Sequence, residues 1–109
     1  MVPLQITPRE VKKRLDSGEK LRLVDVRETF EFQQARIEGS ELIPMRTVPQ
    51  ALPSFESEPS PVIVFCHHGV RSLQVVSWLR EQGVESCSSM EGGIDRWSLE
   101  IDPAVPRYV

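Results

Sequence analysis

Apolar residues in this chain occur in two ways: as short unbroken runs, and as longer stretches in which they recur every three or four positions. The runs have the length of strands and the periodic stretches the length of helices. Thr7-Pro8-Arg9-Glu10 has the form of a capping box with proline at the first helical position, and Val11 and Leu15 follow at helical spacing until Gly18. A strand is predicted over residues 21–26, then a short surface helix over 28–35 with Phe30 turned inward. Gly39 marks a turn into a short strand over 41–43, which Pro44 ends. Residues 45–52 form a helix limited by Pro49, and 53–61 have the proline and serine content of a loop.

The second half repeats the pattern. Val62-Ile63-Val64-Phe65 shows no alternation, as expected of a strand covered on both faces. A helix is predicted over 72–82, with Leu73, Val76 and Leu79 on one face and Gly83 as its stop. Residues 84–90 read as a strand diluted by serines, 94–99 as a last short helix and 102–109 as an extended tail. Alternating strands and helices imply an α/β fold, a parallel sheet with helices on both faces joined by right-handed crossovers. Ligands in such folds bind beyond the carboxyl ends of the strands. Two strands end in chemistry there, one in Asp25-Val26-Arg27 and the other in Cys66.

Composition narrows the class. A chain of 109 residues with 39% hydrophobic and 27% charged content suits one domain, residues 1–109, with an ordinary core. No apolar stretch approaches the ~20 residues of a membrane span, and Met1-Val2-Pro3-Leu4 lacks the features of a signal peptide, so a soluble cytoplasmic protein is expected. A net charge of −3 gives no general attraction to nucleic acid or anionic membrane. Cys66 and Cys87 are too few for a disulfide framework and lack the spacing of a dithiol redox motif.

The candidate chemistry centres on Cys66-His67-His68-Gly69-Val70-Arg71-Ser72. A cysteine between a strand and a helix faces backbone N–H groups without intrahelical partners, which favour an anionic sulfur and any anion it attacks. Gly69 permits a positive φ, Arg71 adds a cation with fork-shaped donors, and the whole stretch reads as an anion cradle. Arg71 either contacts the substrate or holds the loop from behind. Asp25 either caps the chain after its strand or pairs with Arg71 and fixes the loop, while Arg27 and Glu31 lie at the rim or form solvated helix charges. Cys87 is expected to be a packed strand thiol, and Trp97 with Leu99 to be core. Zinc is not expected, because His67 and His68 are adjacent and have no second ligand pair at metal spacing; partial protonation near pH ~6.5 would let them assist anion binding. No cofactor is implied.

With these pieces in order the chain resembles a single-domain member of the rhodanese family. The resemblance rests on Leu23-Val24-Asp25-Val26-Arg27-Glu28 with Phe30-Glu31, on Ile37-Glu38-Gly39-Ser40 through Ile43-Pro44, on the Cys66 to Ser72 segment, and on Gly92-Gly93-Ile94 with Trp97. It implies a three-layer α/β/α fold with a five-stranded parallel sheet, and a cysteine, Cys66, that carries sulfur as a persulfide. The implied partners are a small anionic sulfur donor such as thiosulfate and an acceptor that is cyanide, a thiol or a sulfur-carrier protein. Arg36 departs from the family, which often has histidine at that place. The 102–108 tail is similar to one in short stand-alone members and in rhodanese domains fused to enzymes that activate sulfur-carrier proteins. Two other readings compete. A phosphatase or arsenate reductase on the same fold carries arginine one residue further from cysteine, as C-x5-R, whereas Arg71 gives C-x4-R and a smaller ring of amides. A non-catalytic interaction module is the third, and relatives of that kind usually lack the cysteine.

Overall fold

The computed structural model describes residues 2–108; Met1 and Val109, the two ends of the chain read above, lie outside it. Five strands, β1 (Gln5–Ile6), β2 (Arg22–Asp25), β3 (Glu41–Leu42), β4 (Val62–Phe65) and β5 (Cys87–Met90), form one sheet in the order β1-β5-β4-β2-β3. Every pairing is parallel. The helices are α1 (Pro8–Asp16), α2 (Thr29–Gln34), α3 (Val48–Glu56), α4 (Val70–Glu81) and α5 (Gly93–Glu100), with a 3-10 turn at Met45–Thr47. No helix among the described residues is long and apolar enough to cross a membrane.

The two faces of the sheet follow from the two-residue side-chain period of a strand. Val24, Val26, Val62, Val64 and Cys66 pack with Val48 and Phe55 of α3 and with Val75, Val76 and Leu79 of α4. Leu23, Ile63 and Phe65 point the other way, onto Val11 of α1, Ile94 and Trp97 of α5, and Val105 of the tail. The three layers expected from the sequence are therefore present.

Several local expectations fail for physical reasons. β1 escapes sequence reading because it is two residues long; it exists through pairing, with Gln5 and Ile6 in register with Ser89 and Met90. The third helix is later and longer than its prolines suggest: Pro49 sits in the first turn, where its missing N–H is harmless, and α3 runs on through Pro53 into the expected loop. In α2 Phe30 faces outward, 61% exposed, and Glu31 is the buried residue at 5%. Leu99 is likewise exposed, whereas Trp97 is core. α4 starts two residues before the predicted point and buries Ser72, Val75, Val76 and Leu79, with Leu73 half-buried. The strand read over 84–90 keeps only β5, and all four of its residues, the serines included, are buried. The tail is not extended throughout: Asp102 turns the chain, its carboxylate accepting from the Ala104 N–H at 3.0 Å, before Val105 enters the core.

Candidate active site

β4 delivers Cys66 to the carboxyl edge of the sheet, and in register with Phe65 stands Asp25 at the end of β2. Cys66 is only 1% exposed. The chain then folds back over it. Gly69 caps α4 at φ +106°, a conformation side chains resist, and a Cβ there would lie 3.2 Å from the Gly92 nitrogen. This turn aims two amides at the sulfur: the N–H groups of Gly69 and Ser72 donate to Sγ at 3.1 and 3.3 Å. The Ser72 hydroxyl lies 3.5 Å from Sγ and 2.7 Å from the hydroxyl of Ser89 on β5. Converging N–H groups at a helix start form a nest suited to an anion.

α5 pins the back of the same loop. Gly93 at φ +59° approaches so closely that a Cβ would fall 2.3 Å from the Cys66 carbonyl oxygen. The Ile94 N–H donates to that oxygen at 2.8 Å, and the Asp95 N–H to the His67 carbonyl at 3.1 Å. Two helix starts therefore share the loop, α4 serving the sulfur and α5 the carbonyls.

The expected pair between Asp25 and Arg71 does not form. Asp25 is taken by Arg27, two residues on, through Nε to Oδ1 at 2.9 Å and Nη2 to Oδ2 at 2.6 Å, with both side chains 0% exposed. Arg27 is thus neither a rim group nor a solvated charge. Its remaining N–H groups donate to the Ala35 carbonyl (2.6 Å), the Tyr108 hydroxyl (2.8 Å) and the Glu31 carbonyl (3.3 Å). Such a pair is tolerable in a core because every donor is spent.

Arg71 pairs instead with Glu31, Nη1 to Oε1 at 2.7 Å and Nη2 to Oε2 at 2.9 Å. Glu31 also accepts from the Glu28 N–H at 3.0 Å and from the Tyr108 hydroxyl at 2.7 Å. Four donors fill the carboxylate's acceptor sites. The Arg71 bond above all, helped by the Glu28 amide and the Tyr108 hydroxyl and opposed by burial, brings the Glu31 carboxyl down to about 2. The same contact raises Arg71 above the ordinary arginine value. Arg71 Nε–H takes no hydrogen-bond partner among the described residues, so the guanidinium is held by its tip.

His67, His68 and Asp95 are the one group of possible metal ligands close together among the described residues, their ligand atoms within 4.8 Å of one another. The two imidazoles are stacked at 3.8 Å, so their in-plane lone pairs run side by side and do not converge. Both carboxylate oxygens of Asp95 are engaged by Arg107, at 2.8 and 3.2 Å. The trio serves packing and ion pairing. Burial first, and then the neighbouring His68, push the His67 pKa below its ordinary value, against the charged form of the imidazole. Val70 stands at the rim, 69% exposed. Arg36 lies over the Phe32 ring at 4.4 Å. Cys87 is fully buried, and that burial raises its thiol pKa.

The structure places Cys66 to Ser72 in one loop around the sulfur and the start of α4, with the Asp25–Arg27 pair at the end of the neighbouring strand. Sequence reading missed the roles of Glu31, Ser89, Gly93 and Tyr108. The Gly92-Gly93 doublet before a helix was the one local signal among these.

The chain is similar to several known proteins. An adenylyltransferase and sulfurtransferase of Zea mays is 38% identical over 110 residues, covering 95% of this chain and 24% of that protein, so the chain spans about a quarter of its length. The thiosulfate sulfurtransferase GlpE of Haemophilus influenzae is 36% identical, with 92% of this chain and 95% of that protein covered. Among solved structures, a rhodanese-like domain protein from Staphylococcus aureus superposes with a TM-score of 0.80 at 32% identity over the full length of both chains. The model of the rhodanese-like domain matches residues 7–100, from the cap of α1 to the last residue of α5. That span takes in every element around Cys66, and the chain belongs to the rhodanese-like domain family.

Proposed function

We propose that this protein is a sulfurtransferase that takes sulfane sulfur from thiosulfate or a persulfide donor and passes it on through Cys66. The observation that carries the reading is the pair of amides, from Gly69 and Ser72, aimed at Sγ. The Cys66 thiolate attacks the outer sulfur of thiosulfate, an S–S bond forms as the donor's S–S bond breaks, and sulfite leaves with the bonding pair. The terminal sulfur of the resulting persulfide is anionic and is held by the same amides that held the donor. An acceptor, cyanide or a thiolate, then attacks that sulfur and returns Cys66 to the thiolate. No proton has to move in either displacement, in keeping with a loop that aims N–H donors at the sulfur. Arg71 stabilises the anionic donor at the mouth while Glu31 keeps its tip in place. A sulfur-carrier protein fits the acceptor role, because the 102–108 tail is similar to that of rhodanese domains fused to enzymes that activate such carriers.

Intact mass tests the reading. Incubation with thiosulfate adds one sulfur atom to the wild type, cyanide removes it, and Cys66→Ala gains nothing. A wild type that gains no sulfur from thiosulfate or from a low-molecular-weight persulfide sinks the proposal.

A further inference from the structure

Tyr108 ties the C-terminal tail to the sulfur loop at two separate points. Its ring stacks on His67, the residue after Cys66, at 4.0 Å and 11° between planes. Its hydroxyl accepts from Arg27 Nη1 at 2.8 Å and donates to Glu31 Oε2 at 2.7 Å, the oxygen that also accepts from Arg71 Nη2. One phenol therefore touches the first residue of the loop directly and the fifth through a single carboxylate. The residue lies beyond 7–100, the span that the family model matches, in the tail that resembles those of short stand-alone and fused members.

We propose that Tyr108 is a positioning residue for anion capture, acting on Arg71 through Glu31. The assignment rests on the sulfur-transfer reading for its biological sense but not for its physics. Arg27 fixes the direction of the hydroxyl: because a guanidinium only donates, the phenol oxygen must accept from it, and its own hydrogen is left for Glu31. Donation to Glu31 has two effects with one sign. It holds the carboxylate in the rotamer that grips Arg71, and it draws negative charge away from the guanidinium that faces the donor. Loss of the hydroxyl loosens Arg71 and leaves Glu31 a stronger competitor for its charge. Both weaken the cradle for anions and leave neutral reagents unaffected. Burial and the bond to Glu31 outweigh the nearby Arg27 and raise the phenol to about 12, so it remains a donor across the working pH range. The tail itself is anchored at three points, with Val105 in the core, the Ser98 hydroxyl donating to the Val105 carbonyl at 2.5 Å, and the exposed Arg107 paired with Asp95 at 2.8 Å.

The test compares alkylation of Cys66 by anionic iodoacetate and by neutral iodoacetamide in Tyr108→Phe, which keeps the stacked ring. The ratio of the two rates should fall between about twofold and tenfold against wild type, with the iodoacetamide rate unchanged. Phenylalanine in a Glu31→Gln background should lower the ratio no further, because the route through Glu31 is already cut. An unchanged ratio in Tyr108→Phe overturns the proposal, as does an additive loss in the double variant. The assay needs no sulfur chemistry. A ratio that falls in a protein that forms no persulfide would uphold the role of Tyr108 and reject the sulfurtransferase reading; persulfide formation with a flat ratio would do the reverse.

Discussion

Replacing Glu31 by glutamine keeps the size of the side chain and removes its charge from a site 5% exposed, where four donors converge. Arg71 chiefly holds the carboxyl down to about 2 from an ordinary 4.5. Each pH unit of that depression is worth ~1.4 kcal/mol, so the folded state gains about 3 kcal/mol from ionised Glu31 at neutral pH. The sign is fixed by the direction: the unfolded chain takes up the proton first, so the contribution is complete above pH 4.5 and is lost as pH falls through about 2. Urea unfolding of wild type and Glu31→Gln at a series of pH values reads this directly. The gap in unfolding free energy should be about 3 kcal/mol at pH 7 and about 2 kcal/mol near pH 3.5, narrowing further below. A gap under ~1 kcal/mol at neutral pH, or one that stays flat down to pH ~3, would refute the account of Glu31 as a saturated, ionised anchor.

Two further substitutions probe the framework of the loop. Gly93→Ala must adopt φ +59° and place a methyl 2.3 Å from the Cys66 carbonyl. Left-handed backbone and forced movement of the loop together cost at least about 3 kcal/mol, and persulfide formation should fall with it; chemical denaturation showing a loss below ~1 kcal/mol would contradict the close approach. Asp25→Asn strips the charge partner from fully buried Arg27. A loss of about 3–5 kcal/mol in thermal or urea unfolding is expected, and a near-neutral variant would mean that the Ala35, Glu31 and Tyr108 contacts suffice to hold that arginine.

What could be read from residues alone divides along a physical line. The β4 run, its cysteine and the helix after it were legible because continuous apolar residues, a sharp turn and a helix start are local events. β1 was not, since two residues carry no period and their pairing with β5 is decided 84 positions away in the register of Gln5 with Ser89. A six-residue helix is too short for its two phenylalanines to decide which side of α2 faces in; four donors draw Glu31 inward and leave Phe30 outside. Asp25 and Arg71 are chemically a good match, but Arg27 is nearer and spends every donor at once. Tyr108 lay in a segment without pattern, and only the folded tail brings it to the sulfur loop.

The charges around Cys66 cancel in pairs, Asp25 with Arg27, Glu31 with Arg71 and Asp95 with Arg107, in a chain whose net charge is −3. Little field therefore extends from the site into solution to draw an anion in from beyond a Debye length. On the proposed reading, recognition of an anionic donor begins at contact, where peptide dipoles and the uncommitted edge of Arg71 take over. Encounter with the proposed dianionic donor is thus unsteered diffusion with shallow salt dependence. A macromolecular donor, docking by surface shape, would lose nothing by that arrangement.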